Sequence, residues 1–569
     1  MTPSRTNTKA MLGICAAALV VLIVNWRAME SERVTEDVLL PEDMPPTLAL
    51  TTMALGPARS LVANMLWWRA VRMQDEGNYF EAIQLASWIS TLQPKLVRVW
   101  TYQSWNMAFN LTAEMPNKED RWTWVRSGME LLRDDGLRYN PGDPYIHTEI
   151  SRIYFQKMSN TADPHWRHYT LRWAQTMFRY LQYGDIAEIE GVDLAPNTLA
   201  ELRLRDPDAG KLLDEASALA LDLTSLEVLN SPERWSPVQR DLVLAPERAA
   251  ALKLIRQYVV KIRLPQDLKL DLEQMQYIDE QYGPFDWRLP QAHAVYWGAN
   301  EGMTLAEGRE DFEFPIVRQA MVQSFMMGKL VYLSNDDFIT TNNLAIAANT
   351  DKYMHYLLDE RPTPSAKNLA LDFHQRGAVI FYLNAYEAEA RDFFVSYQDA
   401  LRSKDPKSEK LKWTFEQFIE EDAPQVLFAD AGGQEKKSLV IGALLQAYIS
   451  LALGESERAI GYQRVAKTIY ERNQKRYKNK PDMRMEPWDE LRRIALDTAL
   501  NSPGLMPPRV MQNLLSLTKG GQLVEFPERE ANELKPLNLG AHHSRPANGD
   551  DDDAAAQDGA AHDDAAEGP

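Results

Sequence analysis

Histidine spacing is the first chemistry to test, because ligand spacing is among the more specific signals one sequence carries. His165 and His168 stand three apart on an expected helix, a geometry able to share a metal ion. Their neighbours Trp166, Arg167 and Arg172 are bulky or cationic, and Asp163 is the carboxylate at hand, so both read as surface or packing histidines. His147 and Glu149 fall on different faces of an expected helix, and no third ligand is visible. His542, His543 and His562 lie among aspartates and read as part of a solvated tail, with adventitious metal binding at most. No HExxH and no Gly-x-Ser-x-Gly elbow occurs, and Lys519-Gly520-Gly521 lacks a preceding strand and Walker spacing. With 81 acidic residues, neighbours such as Asp336-Asp337 or Glu420-Glu421-Asp422 say little about a glycosidase pair. The single cysteine, Cys15, leaves the rest of the chain without disulfides, Cys-ligated zinc or a Cys nucleophile. This gives no catalytic, metal or cofactor-binding residue, no cofactor, and a non-enzyme.

One phrase stands out. Gly283-Pro284-Phe285-Asp286-Trp287-Arg288-Leu289-Pro290 brackets three chemically rich residues between two prolines. The residue before each proline is pushed out of the α region, so the loop is stiff. Asp286 suits a turn cap or an ion pair with Arg288. Trp287 either plugs a gap between segments or offers its face to a ligand. Aromatics further upstream pose the same choice between core and contact: Trp67, Trp68, Trp100, Trp122, Trp124, Tyr145 and Tyr154. These residues, with Asp286, Trp287 and Arg288, are the candidate partner- or ligand-binding set.

The elements that would position them are helical. Nine of the 15 tryptophans lie between Trp67 and Trp173, so that stretch should be the best packed or carry a large aromatic surface. Apolar residues recur at helical spacing from Leu55 through Leu61, Met65, Leu66 and Trp68. Gly77, Tyr79, Ala82, Ala86, Ile89 and Pro94, followed by Trp100, resemble the second half of a tetratricopeptide repeat and the start of the next. A loop insertion is expected over Glu114–Asp120, then a helix from Arg121 to Leu137, closing at Asn140-Pro141. Pro144 suits the first turn of the next helix, with Ile150, Tyr154 and Met158 on one face. A second copy of the Gly-to-Ala spacing appears at Gly454, Ala459 and Ala466. Leu330–Leu333 reads equally as a short strand or as a helix tail.

The N-terminus reads as a membrane segment. Arg5 and Lys9 precede an apolar run of 15 residues, Ala10–Val24, ending at Asn25-Trp26. Trp26 fits poorly at a cleavage site, so an uncleaved anchor is expected, with the basic end in the cytoplasm and the bulk outside it. Net charge is −19, which argues against nucleic acid as a partner. The stretch 541–569 supplies −7 of that charge and cannot bury enough apolar area to fold.

The expected order is therefore a signal anchor (1–27), an acidic, proline-containing tether (28–53), and an N-terminal tetratricopeptide-like region (54–230). An irregular, mostly helical middle (231–350) follows. Then come a C-terminal helical region (351–530) with a repeat-like unit near 440–473, and a disordered acidic tail (531–569). The fold class is all-α, a tetratricopeptide-like α–α solenoid.

Three phrases, Leu66-Trp67-Trp68-Arg69-Ala70, Arg121-Trp122-Thr123-Trp124 with Leu137-Arg138-Tyr139-Asn140-Pro141, and the Gly283–Pro290 loop, resemble membrane-anchored tetratricopeptide-like proteins of planctomycete and verrucomicrobial bacteria. The resemblance implies a class and a compartment, the bacterial inner membrane with the bulk of the chain in the periplasm. It transfers no site. The expected function is a non-catalytic scaffold that holds a protein or peptide on a concave helical surface and contacts the bilayer through residues 10–26. The alternative is an exported all-α enzyme or glycan-binding protein with an aromatic and acidic groove.

Overall fold

The computed structural model describes residues 58–526, apart from 160–162, 300–314, 335–336, 361, 385, 423–435, 479–483, 502–507 and 525. The expected anchor, tether and acidic tail lie outside the described residues. Among those described, no helix is long and apolar enough to cross a membrane. The chain is mostly helical, and it divides into two compact units. The described part of the first unit is 58–172 with 297–299. That of the second is 173–296 with 315–526.

The first unit opens with an antiparallel hairpin, Ala58–Asp75 and Tyr79–Leu92. Gly77 ends the first helix at φ +78°, and the amide of Asn78 reaches back to the carbonyl of Met73 at 2.8 Å. That closure needs a left-handed residue, which glycine supplies without a Cβ clash. Ala82, Ala86 and Ile89 are fully buried, and Ala86 and Ile89 cluster with Ala63 and Val99, with Leu66, Trp67 and Tyr102 packed on the cluster. The small side chains let the helices approach closely.

The next helices continue the register with a difference. Helix Lys118–Glu130 starts three residues before the expected Arg121, because Asn117 caps it by accepting the amide of Glu119 at 2.9 Å. The insertion is correspondingly shorter. Pro144 does open its helix, with Asp143 accepting the amides of Tyr145 and Ile146. Ile150, Tyr154 and Met158 are all buried, as the period expects. Three successive helices widen into wider-turned π segments at Asn106–Leu111, Leu131–Gly136 and Ile153–Ser159. The carbonyl of Pro94 joins two turns. It accepts Trp100 Nε1 at 2.8 Å and Asn140 Nδ2 at 2.9 Å.

In the second unit, helices Lys436–Ala452 and Ser456–Arg476 repeat the opening hairpin bond for bond. Gly454 has φ +80°, Glu455 donates to the Ser450 carbonyl at 2.9 Å, and Ala459 donates to Glu455 at 3.0 Å. A further hairpin, Pro364–Leu383 with Glu387–Lys404, uses the same pattern. Tyr386 donates to Phe381 at 2.9 Å and Ala390 to Tyr386 at 3.0 Å. Ala390 and Tyr397 are buried at the places of Ala82 and Ile89.

The fold is all-α as expected, with one small strand hairpin inserted. Lys329–Ser334 and Asp337–Thr341 form an antiparallel two-stranded hairpin, with Lys329 opposite Thr341 and Val331 opposite Ile339. The ambiguous run at Leu330 becomes a strand because the β-branched residues at 339–341 pair with it. The expected middle region, 231–350, lies mostly in the second unit.

Gly461 sits where helix Ser456–Arg476 passes close to the end of helix Pro364–Leu383. A Cβ there would lie 1.5 Å from the backbone oxygen of Leu383. Gly461→Ala should therefore lower the stability of this unit by about 3 kcal/mol or more. Gly454→Ala, whose Cβ would meet open space, should cost about 1 kcal/mol from its left-handed backbone alone. Urea denaturation followed by circular dichroism gives the order. Equal losses would contradict the close contact.

Candidate functional site

The loop at Asp286 is built from charge neutralisation outward. Asp286 accepts the backbone amide of Arg288 at 3.1 Å, Arg288 Nε at 2.8 Å and Arg288 Nη2 at 2.7 Å. Its second oxygen also accepts the amide of Leu330 at 2.9 Å. Arg288 extends from the pair to two carbonyls, Gln182 at 3.0 Å and Leu330 at 3.2 Å. Between them Trp287 is fully buried, its amide donating to Gly184 at 2.8 Å and its Nε1 to Asp279 at 3.0 Å. The same Asp279 oxygen accepts the amide of Phe285 at 2.9 Å. His293 donates from Nε2 to the Trp287 carbonyl at 2.8 Å. Burial holds the His293 imidazole neutral, at about 3, and pushes the Asp279 carboxyl up to about 6. The loop thus ties the segments at 182–184, 279–289 and 330 together. Trp287 presents no face to a ligand, and Asp286 and Arg288 are committed to each other and to backbone.

The upstream candidates separate by burial. Trp100, Trp122 and Tyr154 are core. Trp100 stacks on Tyr139 at 5.9 Å. Trp67 and Trp124 are half-buried, with Trp67 tilted against Tyr102 at 4.9 Å and Trp124 meeting Phe80 edge-on at 5.8 Å. Trp68 and Tyr145 are exposed. Around the π segments sit buried charges, each neutralised locally. Lys157 pairs with Asp163 at 2.6 Å, Arg133 with Asp134 at 2.7 Å and Glu149 with Arg152 at 3.0 Å. His147 is buried and held neutral, at about 4, by desolvation. His168 faces Glu119 at 3.5 Å, a carboxylate brought from a helix the local sequence does not contain.

An exposed apolar face is what remains. On helix Ala58–Asp75, Ala63, Leu66, Trp67 and Ala70 face the hairpin partner or its cluster. Leu61, Met65 and Trp68 stand at i, i+4 and i+7 on the opposite side, 65%, 67% and 71% exposed. The partner helix adds exposed Phe80 and Trp88, two turns apart. Arg69 is paired with Glu81, and Arg72 with Glu76 at 2.9 Å. Leu61 and Met65 are missing from the sequence-derived set, although the signal was present: the helix is apolar around most of its circumference, and one partner can bury only one side.

The second unit carries a cleft of about 670 Å³ lined by Tyr183, Trp235, Arg256 and the acids Asp185 and Glu188. Both acids are engaged with backbone. Glu188 accepts the amides of Gln182, Tyr183 and Gly184, each at 2.8 Å, and Asp185 caps its helix through the amide of Glu188. Trp235 is buried and donates to the Val228 carbonyl. With this geometry in hand, comparison with protein-family models, curated proteins and solved structures finds no match to the chain.

Two outcomes follow from the loop. Arg288→Met strands the Asp286 carboxylate, 8% exposed, and should cost about 3–5 kcal/mol in urea denaturation read by tryptophan fluorescence. A change under ~1 kcal/mol would mean the pair is not the staple described. Asp279 titrates at about 6 in the fold against an ordinary 3.8. The folded state then holds the extra proton, so stability is greatest below the unfolded value and falls as pH rises through the folded one, by on the order of 2–3 kcal/mol. Asp279→Asn keeps an acceptor for Phe285 and Trp287 without the charge. It should flatten stability between about pH 4 and 6; an unchanged slope would assign the effect to another group.

Proposed function

We propose that this chain is a non-catalytic, membrane-anchored scaffold whose tetratricopeptide-like helical hairpins hold a partner protein on the periplasmic side of a bacterial inner membrane. The observation that carries the reading is the Leu61-Met65-Trp68 stripe. It is an apolar helix face left over after the hairpin has filled its own interface, and its i, i+4, i+7 spacing fits an amphipathic helix from a partner. The repeated hairpin closures at Gly77 and Gly454 support a solenoid-type architecture. The fate of the indoles supports binding over glycan chemistry. Trp287 and Trp122 are buried, and the two acids in the second unit's cleft are tied to backbone amides. The apolar run Ala10–Val24 supports the anchor and the compartment.

Crosslinking the full-length protein in its native membrane, followed by identification of what co-purifies, tests the reading. One protein partner should recur, and Leu61→Ser with Trp68→Ser should reduce its yield roughly tenfold or more while the helical spectrum is unchanged. Retention of glycan or small-molecule material in place of a protein would overturn the scaffold. Deleting residues 1–27 should release the chain from the membrane fraction; a deletion variant that still pellets with membranes would overturn the anchor.

A further inference from the structure

We propose that Asp351, His355 and His374 form a binding site for a divalent transition-metal ion, with zinc the favoured occupant. The inference is independent of the scaffold reading. Asp351 and His355 lie one turn apart on helix Ala347–Glu360, so both side chains share a face. His374 comes from the next helix, Pro364–Leu383, which packs beside it. Asp351 Oδ1 is 2.6 Å from His374 Nε2 and 3.4 Å from His355 Nδ1. All three donor atoms fall within 4.8 Å of one another. Two ligands from one helix and one from its neighbour are a common way for helical bundles to build an ion site.

The distances and the donor types agree with that assignment. Donors bound to zinc at about 2.0–2.1 Å stand roughly 3.0–3.4 Å apart. The Asp351–His355 separation already meets this. The Asp351–His374 contact is a hydrogen bond, and an ion replacing the proton there opens it by roughly half an ångström. Two imidazoles and a carboxylate suit four-coordinate zinc, or iron(II) with further waters in a six-coordinate shell, and suit calcium or magnesium poorly. The environment is telling as well. Asp351 and His374 are buried, and the His374 ring lies 5.3 Å from Phe373 and 5.8 Å from Phe393. His374 Nδ1 is buried with no hydrogen-bond partner. Nε2, the ring nitrogen on the Asp351 side, is therefore the one that reaches the ion. His355 is 54% exposed and forms the rim, with Nδ1 also 3.0 Å from the Asp351 carbonyl. The ion enters past it from solvent, and a water completes the coordination.

Zinc titration of the full-length protein against a chromophoric chelator tests the site. The background carries His542→Ala, His543→Ala and His562→Ala, to remove binding by the tail. One zinc should bind per chain, and His355→Ala should weaken it at least tenfold. His355 is at the surface, so this variant should keep its helical spectrum. Asp351→Asn should weaken it further, and cobalt in place of zinc should give the visible bands of a four-coordinate ion, lost in His355→Ala. No stoichiometric zinc in the tail-substituted protein, or equal affinity in parent and His355→Ala, would overturn the site and leave a proton-bridged aspartate between two histidines.

Discussion

A carboxylate taken out of water must be neutralised where it sits, and in the second unit that requirement shapes the chain around Asp286. A guanidinium has a planar fork of donors, and Arg288 uses it in two directions. Nε and Nη2 grip Asp286, Nη2 also reaches the carbonyl of Leu330, and Nη1 reaches that of Gln182. A lysine could match the charge but not that division of contacts. Because Asp286 also takes the amide of Leu330, the start of the strand hairpin is fixed from both its N–H and its C=O. Trp287 fills the space beneath, and Asp279 satisfies its indole. The turn at 182–184 is held from the other side by Glu188. Segments more than a hundred residues apart in sequence thereby share one polar framework.

The helical hairpins were legible where the closing chemistry was written in residue types. Gly77 and Gly454 supply the left-handed turn, and Ala82 and Ala459 the close contact. The hairpin closing at Tyr386 makes the matching bonds from Tyr386 and Ala390 without a glycine in its closing turn, so the pattern gave no sign of it. The π segments were invisible for another reason. A reading at 3.6 residues per turn puts Ile150, Tyr154 and Met158 on one face, and burial agrees, yet the helix there is locally wider. The run Leu330–Leu333 could not be assigned alone because a strand is defined by its partner, and the partner begins at Asp337.

The candidate residues show the same divide between local and long-range information. Sequence could propose that Asp286 pairs with Arg288, since they are two residues apart, and they do. It could not say that Trp287 would be sealed beneath them, because the cover comes from elements elsewhere in the chain. Asp351 and His355 are at a visible i, i+4 spacing, but that spacing is common on helices and carries weight only when His374 arrives from the next helix. Glu119 facing His168 is a parallel case, where the fold supplies a carboxylate that local sequence lacks.

The tryptophan-rich segment combines two demands that pull a sequence the same way. A hairpin interior wants small and medium apolar residues, and here Ala63, Ala82, Ala86 and Ile89 meet that need. That interface takes Leu66 and Trp67 at its edge, while Trp68, Met65 and Phe80 stay exposed, where helix stability alone would favour charged residues. Packing within the hairpin buries little of them. Large, rigid, exposed apolar groups are unfavourable in water and are enriched where proteins meet partners. The buried indoles and the exposed ones therefore differ in what holds them: Trp100 and Trp122 are part of the core, whereas Trp68 and Trp88 keep most of their surface in water.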